Sequence, residues 1–234
     1  MDGIPVLLGP EAYVRRACLP SLSLPQYREA YAEMPVYNQV ALERSDPRQQ
    51  SHQRSWLTAA SRLSVDERNR FPCPSAVWCD QLYEYEAQYA AYKKLAPLAG
   101  TRVLQVGGTG IHALKFLLAG ASEAWLVTPM QCEAEFTLQL AGELGLLANF
   151  HAVVAVGEEL PFPASSFDRI FTSGCLHHML TGMAAGEARR VLTPKGVFAA
   201  VDPWRAHLRR VGILLAGRRE RGIHCRPLDR ERLG

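Results

Sequence analysis

The sequence predicts an α/β fold with a parallel sheet, and three observations support this prediction. Between about residues 80 and 201, short β-branched and apolar runs alternate with longer helical stretches, a pattern typical of βαβ units. A glycine-rich turn joins the first of these runs to the helix that follows it, as in nucleotide-binding α/β folds. The chain has 234 residues, of which 48% are hydrophobic. That is enough for one such domain and a smaller additional segment.

The predicted elements of the sheet domain follow one another along the chain. Apolar and aromatic residues spaced three and four apart make one helical face within 80–94. Proline and glycine at 97–100 then end this helix. The elements expected after it are a strand at Arg102–Val106, a helix ending at Gly120, a strand at 123–127, a helix near 131–145, strands at 150–155 and 168–173, a helix at 183–192, a turn at 193–196 and a strand at 197–201.

The segment before the sheet domain, residues 1–79, has a different composition. Several prolines divide it into short pieces, and no strand pattern is visible. We therefore expect a helical or irregular cover, with short helices at 25–34 and 66–70. Ser64 is the expected N-cap of the second helix.

The segment after the sheet domain, residues 202–234, contains nine arginines and four acidic residues. It carries +5 and leaves −2 on the rest of the chain, whose net charge is +3. A helix near 205–217 and a basic tail are expected here. Arginines without interleaved aromatic residues are more typical of a solvated surface than of a nucleic-acid site. The predicted domains are thus 1–79, 80–201 and 202–234.

Four sequence motifs in the sheet domain point to its chemistry. The first strand runs into the turn 105–110, QVGGTG. Glycines at this place let the backbone approach a ligand closely, and the next helix points its N–H groups into the same crevice. The later motifs are EELPFPASSFDRI at 158–170, TSGCLHHM at 172–179 and EARRVLTPKGV at 187–197.

In order and spacing these motifs resemble the class I S-adenosylmethionine (SAM) dependent methyltransferases, over roughly residues 80–201. The resemblance implies a Rossmann-like sheet with a helical N-terminal cover, and SAM as the cofactor. The superfamily's sheet ends with two further strands. Only 223–228 offers a short candidate for either, so we expect both strands to be missing, with a truncated chain as the alternative.

The resemblance also implies a cofactor site, although three acidic positions have changed. In the superfamily an acid precedes the glycines, a second at the end of the second strand binds the ribose hydroxyls, and a third binds the adenine amine. Gln105, Thr128 and Val156 stand at these positions. Backbone amides, Thr128 and Gln131 are expected to bind instead, with a different SAM pose or lost SAM binding as alternatives. The expected cofactor-binding residues are Gln105, Gly107, Gly108, Gly110, Thr128, Gln131, Gly157, Glu158 and Ser173.

Two adjacent histidines are the catalytic candidates. His177 and His178 follow the fourth strand, where the active-site crevice of the superfamily opens. A neutral imidazole accepts a proton near physiological pH, as a base for methyl transfer must. The alternative is that both histidines only shape the pocket.

Other side chains near the motifs have weaker functional predictions. Ser173 and Cys175 are expected to line the crevice, and Asp168 to have a structural role. The aromatic candidates for contact with a sulfonium cation are Trp78, Tyr83 and Tyr85. For Tyr85, packing on a helix face is preferred.

The sequence leaves several functions open. The leading prediction is a SAM-dependent methyltransferase acting on a small molecule. The first alternative is an enzyme that attacks the 3-amino-3-carboxypropyl group of SAM, by transfer or by cyclisation to a small-ring amino acid, and releases methylthioadenosine. A non-catalytic binding protein is the further alternative. An RNA methyltransferase, suggested only by the arginines, is the weakest.

Composition and pattern also limit the class of protein. Apolar runs are too short to span a bilayer, and no leader pattern opens the chain, so a cytoplasmic protein is expected. The six cysteines include no C-x-x-C pair, so neither a metal site nor a disulfide framework is expected. The fifth strand would keep an open edge. A homodimer is slightly favoured to cover it, over cover by the N-terminal segment or by the 205–217 helix.

Overall fold

A computed structural model describes residues 47–80 and 85–202 of the chain. The predicted helices at 25–34 and 205–217, the basic tail, the 223–228 segment and Tyr83 lie outside these ranges. Whether the sheet lacks the superfamily's last two strands therefore stays a prediction. No helix among the described residues is long and apolar enough to cross a membrane.

The described part of the N-terminal segment consists of three helices, α1 (Pro47–Ser61), α2 (Val65–Asn69) and α3 (Ser75–Trp78). The predicted N-cap of α2 is confirmed. The Ser64 side chain accepts a hydrogen bond from the Glu67 amide, and the Glu67 carboxylate accepts one from the Ser64 amide. This reciprocal capping box satisfies two amides at the helix start.

Among the described residues, five parallel strands form the sheet, in the order β3-β2-β1-β4-β5. Parallel strands need crossover connections. Helices provide them here except between β3 and β4, which are joined by the segment 155–166 without a helix. A short 3-10 helix, Leu176–His178, follows β4. The strands are β1 (Arg102–Val106), β2 (Glu123–Thr128), β3 (Phe150–Val154), β4 (Phe167–Ser173) and β5 (Leu192–Val201), and the helices are α4 (Tyr85–Leu95), α5 (Ile111–Leu118), α6 (Gln131–Glu143) and α7 (Thr181–Val191).

Apolar side chains cover both faces of the sheet, because strands of a parallel sheet are buried on both sides. The larger cluster joins one face to α1, α4, α5 and α6, and includes the fully buried Tyr92 and Phe171. The smaller cluster packs α7 and the 160–167 region against the opposite face through Leu160, Phe167 and Val191.

The predicted turn at 193–196 differs from the structure. These residues belong to β5, whose pairing with β4 shifts there: Phe167 pairs with Leu192, and Arg169 already pairs with Val197. The proline and glycine that suggested a turn instead form an irregularity within the strand, a usual role for such residues at a sheet edge.

Candidate functional site

The candidate site lies at the carboxyl ends of β1 and β4. These strands are neighbours, but the chain leaves β1 towards β2 and leaves β4 towards β5, so the order of the sheet reverses between them. Such a reversal opens a crevice between the loops that follow the two strands. The loop 107–110 follows β1, and the segment 174–180 follows β4.

The glycines of the first loop are required by its backbone path. Gly107, Gly108 and Gly110 have φ angles of +79°, +74° and +71°, which L side chains rarely adopt. A Cβ on Gly107 would lie 2.6 Å from the Cys175 sulfur, and one on Gly110 would lie 2.5 Å from a Thr137 methyl group. Two of the three predicted glycines thus let the loop pack against its neighbours, and Gly108 has more open space.

Gln105 braces this loop from the end of β1. Its side-chain amide nitrogen donates to the Gly107 carbonyl at 2.9 Å, and its oxygen accepts from the Ala113 amide at 2.8 Å. A carboxylate could accept the second bond but could not donate the first. Glutamine therefore ties the loop to the first turn of α5, and the changed acid has a structural explanation.

At the end of β2 the structure places an acid that sequence reasoning missed. Thr128 donates to the Glu133 carboxylate at 2.6 Å, and Glu133 projects from the first turn of α6. Burial raises the pKa of Glu133 above its usual value of 4.5, and the bond from Thr128 lowers it in part. The sequence signal for this acid was a glutamate five residues after Thr128, the position at which the acid was expected.

Gln131, predicted to bind the cofactor beside Thr128, has an exposed side chain. It donates to the Glu135 carboxylate at 2.8 Å, one helical turn along α6. Of the side chains in the first turn of α6, it is that of Glu133 which contacts Thr128, and a cofactor role for Gln131 stays a prediction.

The loop after β3 closes another side of the crevice. A Cβ on the buried Gly157 would lie 2.7 Å from the Met179 sulfur and 2.9 Å from a Val106 methyl group. The Glu158 carboxylate accepts a hydrogen bond from the Leu180 amide at 2.9 Å. Gly157 and Glu158 thus join this loop to the segment after β4.

Beyond β4, His177 is held by an acid at the end of β5. Its Nδ1 lies 2.6 Å from the Asp202 carboxylate, which also accepts hydrogen bonds from the Leu176 and His177 amides at 3.3 and 3.2 Å. The Asp202 side chain is only 1% exposed. Asp202 was not predicted as a site residue, although its place directly after the fifth strand was a usable signal.

The His178 ring lies against that of His177, with 3.8 Å between the ring centroids and 48° between the ring planes. Ser173 ends β4, and its carbonyl lies 3.1 Å from the Cys175 sulfur. Burial, together with the carboxylates of Glu133 and Asp202, raises the pKa of the Cys175 thiol.

Three other candidates have structural positions. Trp78 is fully buried, with its ring 5.0 Å from that of Phe71, and so is not available to a ligand. The Tyr85 hydroxyl bonds to Ser75, in keeping with its expected packing role. Asp168 accepts hydrogen bonds from the Arg102 amide and the Thr193 hydroxyl, which gives it the structural role that was expected. Within residues 47–80 and 85–202, no cluster of His, Cys, Asp and Glu could hold a metal ion.

Comparison with known proteins identifies the domain type. A family model described as a methyltransferase domain matches residues 104–200. Among solved structures, the chain is similar to the [4+2]-cyclase SpnF at 26% identity and a TM-score of 0.52, over 62% of this chain and 52% of that one. It is similar to the YcgJ protein of Bacillus subtilis at 28% identity and a TM-score of 0.56, over 64% and 65%. No curated protein sequence matches the chain.

A third similar structure, a geranyl diphosphate methyltransferase in complex with SAM, shares the fold at 19% identity and a TM-score of 0.55, over 64% of this chain and 61% of that one. The chain spans between about half and just under two thirds of the length of these three structures. The matched motifs, the family model over residues 104–200 and the five-stranded parallel sheet of the described residues show that this part of the chain is a methyltransferase domain of the class I SAM-dependent type.

Proposed function

We propose that the chain is a SAM-dependent methyltransferase whose acceptor is a small molecule and whose catalytic base is His177. The observation that carries this proposal is the pair formed by His177 and Asp202 beside the glycine loop. Superfamily membership supplies the cofactor class. A crevice at the switch point of an α/β sheet is a usual binding site for a small molecule, which favours a small acceptor.

The residues of the crevice fit SAM. The glycine loop fits the amino-acid end of the cofactor at Gly108, which carries no side chain and has more space around it than Gly107 and Gly110. The Glu133 carboxylate has two oxygens, and the ribose presents two hydroxyl donors, so Glu133 takes the role that Thr128 cannot. In this proposal the loop at Gly157 and Glu158 contacts the adenine.

The arrangement of His177 suits proton removal. With the Nδ1 proton donated to Asp202, the imidazole keeps its Nε2 lone pair as a proton acceptor, and Asp202 stabilises the cation that forms. SAM supplies an electrophilic methyl group on a sulfonium. The acceptor atom forms a bond to the methyl carbon, the sulfur–methyl bond breaks, and the acceptor's proton passes to Nε2. Positioning provides most of the remaining rate enhancement.

Two measurements on the full chain test this function. Calorimetry with S-adenosylhomocysteine (SAH) tests the cofactor site. SAH release from SAM, with a low-molecular-mass cell filtrate as the source of acceptors, tests turnover. His177→Ala should lower turnover by about 10²–10⁴-fold and leave the affinity for SAH near that of the wild type. Asp202→Asn should also lower turnover, because Asp202 orients the His177 imidazole and the substitution disturbs that orientation. Failure to bind SAH, or wild-type turnover in His177→Ala, would contradict the proposal.

A second candidate is an enzyme that consumes the aminocarboxypropyl group of SAM. It is favoured by the similarity to a protein named as a [4+2]-cyclase, since the fold evidently hosts reactions other than methyl transfer. Incubation with SAM alone separates the two. Methylthioadenosine formed without an acceptor indicates the second candidate, and SAH formed only with the filtrate indicates methyl transfer. SAH binding without either product indicates a binding protein.

A further inference from the structure

His112 is a partly exposed imidazole beside the crevice that the proposed reaction does not use. It is the second residue of α5, directly after the glycine loop. Its Nδ1 is hydrogen-bonded to the hydroxyl of Tyr92 on α4. Its ring lies 4.8 Å from that of Phe171 on β4. Tyr92 and Phe171 are fully buried. Their contacts therefore fix the imidazole on the side that faces the core, and His112 remains partly exposed.

The position of His112 relative to the glycine loop is also fixed. Gln105 binds the Gly107 carbonyl on one side and the Ala113 amide on the other. Ala113 is the neighbour of His112, so the same brace that shapes the loop sets the first turn of α5. The backbone of His112 is therefore fixed directly beside the loop at which the amino-acid part of SAM is expected to bind.

The protonation state of this imidazole follows from its surroundings. Burial, with the nearby charge of Lys115, lowers the pKa of His112 to about 3, so the ring is neutral at physiological pH. A phenol hydroxyl is a good donor, and a neutral imidazole nitrogen is a good acceptor, which favours donation from Tyr92 to Nδ1. The ring proton then resides on Nε2, which makes no hydrogen bond within the described part of the chain.

We propose that His112 is a positioning residue that donates its Nε2–H to the carboxylate of the amino-acid end of SAM, with Tyr92 orienting the ring. This inference rests on the function proposed above. A neutral donor suits this end of the cofactor, because the carboxylate stands close to an ammonium and a sulfonium. A cationic side chain would attract the carboxylate but would repel the ammonium and the sulfonium. The start of α5 adds backbone dipoles that favour an anion.

Two ligands separate this role from a general effect on the site. SAH carries the amino-acid end, and methylthioadenosine shares its adenosine and thioether but lacks the carboxylate. Binding of both is measured by calorimetry on the full chain. His112→Phe keeps the ring size and removes the donor. It should weaken SAH binding about tenfold to a hundredfold, the usual range for a hydrogen bond to a charged group, and change methylthioadenosine binding less than about twofold.

Three further variants make the test specific. His112→Gln retains a donor near the position of Nε2 and should recover part of the lost SAH affinity. Tyr92→Phe should weaken SAH selectively, and by less than His112→Phe. Glu133→Gln is the matched control, because it should weaken both ligands, which share the ribose.

The outcomes distinguish this inference from the proposed function. If wild-type protein does not bind SAH, the proposed function fails. If SAH binds but His112→Phe leaves its affinity unchanged, or weakens both ligands equally, His112 does not contact the carboxylate and the proposed function stands.

Discussion

At the scale of single residues, the positions that are acidic in the superfamily have neutral side chains with contacts of their own. Thr128 ends β2 without a charge and donates to the Glu133 carboxylate on the next helix. Gln105 has an amide where an acid was expected, because its contacts need both a donor and an acceptor. In the function proposed above, Glu133 supplies the carboxylate that Thr128 lacks.

Glu133→Gln should raise the stability of the protein without SAH and lower its affinity for SAH. The folded-state pKa of Glu133 is raised, so the folded protein binds more protons than the unfolded chain between pH 4.5 and that higher pKa. The free energy of unfolding therefore falls as the pH rises through this window. Without SAH, Glu133→Gln should be more stable than the wild type at pH 8, with a smaller difference at pH 4. SAH should bind about tenfold more weakly, or worse.

Urea unfolding at both pH values and SAH calorimetry check these two effects. Glu135→Gln, an exposed substitution two residues along α6, is the control and should change neither stability nor binding. Equal stability of Glu133→Gln and wild type at pH 8 would contradict the expected desolvation of Glu133.

At the scale of elements, α7 fastens the loop that follows β3. Arg190 donates to the Leu160 and Phe162 carbonyls at 2.9 and 2.7 Å, and Glu187 accepts from the Leu160 amide at 2.7 Å. Arg190 and Glu187 also pair with each other across one helical turn. Two motifs recognised separately in the sequence, at 158–170 and 187–197, thus form one unit in which the second holds the first.

Arg190→Ala should loosen this loop. It removes two hydrogen bonds from a charged donor that is partly exposed, so we expect a loss of about 1–2 kcal/mol in the free energy of unfolding. The affinity for SAH should fall as well, because Gly157 and Glu158 lie in the same loop. Arg189→Ala, at the exposed preceding position, is the matched control. Urea unfolding and SAH calorimetry of both variants provide the measurement, and identical results for the two would show that Arg190 does not secure the loop.

At the scale of the whole molecule, the sequence predicted the sheet better than the site. Strand Arg102–Val106 matches the structure residue for residue, because alternating apolar runs and glycine breaks are local signals. Glu133 and Asp202 had only weak local signals, and His112 had none, because the contacts of all three join residues from different elements. Asp202 meets a histidine 25 residues earlier in the chain, and Tyr92 meets His112 across 20 residues.

Lys115 joins the N-terminal helices to the sheet domain. It is fully buried on α5, and its Nζ donates to the Trp78 carbonyl at 2.6 Å and lies 2.7 Å from the centre of the Trp56 ring. Among the described residues it has no carboxylate within ion-pair distance. Burial lowers the pKa of Lys115 well below its usual value.

This burial predicts an unusual dependence of stability on pH. Between the lowered pKa and 10.5 the unfolded chain binds more protons than the folded protein, so Lys115 makes the free energy of unfolding rise with pH. Lys115→Met removes that contribution. The stability of wild type relative to Lys115→Met should therefore increase from pH 7 to pH 9.5 in urea unfolding. Lys94→Met, at an exposed position of α4, should follow the wild type, and parallel curves for Lys115→Met would contradict the prediction.

The anchoring of His177 has a consequence for how the reaction could respond to assembly. Its partner, Asp202, directly follows β5, which in the described part of the chain is an outer strand of the sheet. The Gly174 amide also donates to the Val201 carbonyl at 2.8 Å, so the loop bearing the histidine rests on the same strand. With His177 as the proposed proton acceptor, a contact that shifts this strand would move the acceptor with it. The proposed function therefore predicts that binding of another molecule at this edge changes the rate of proton transfer.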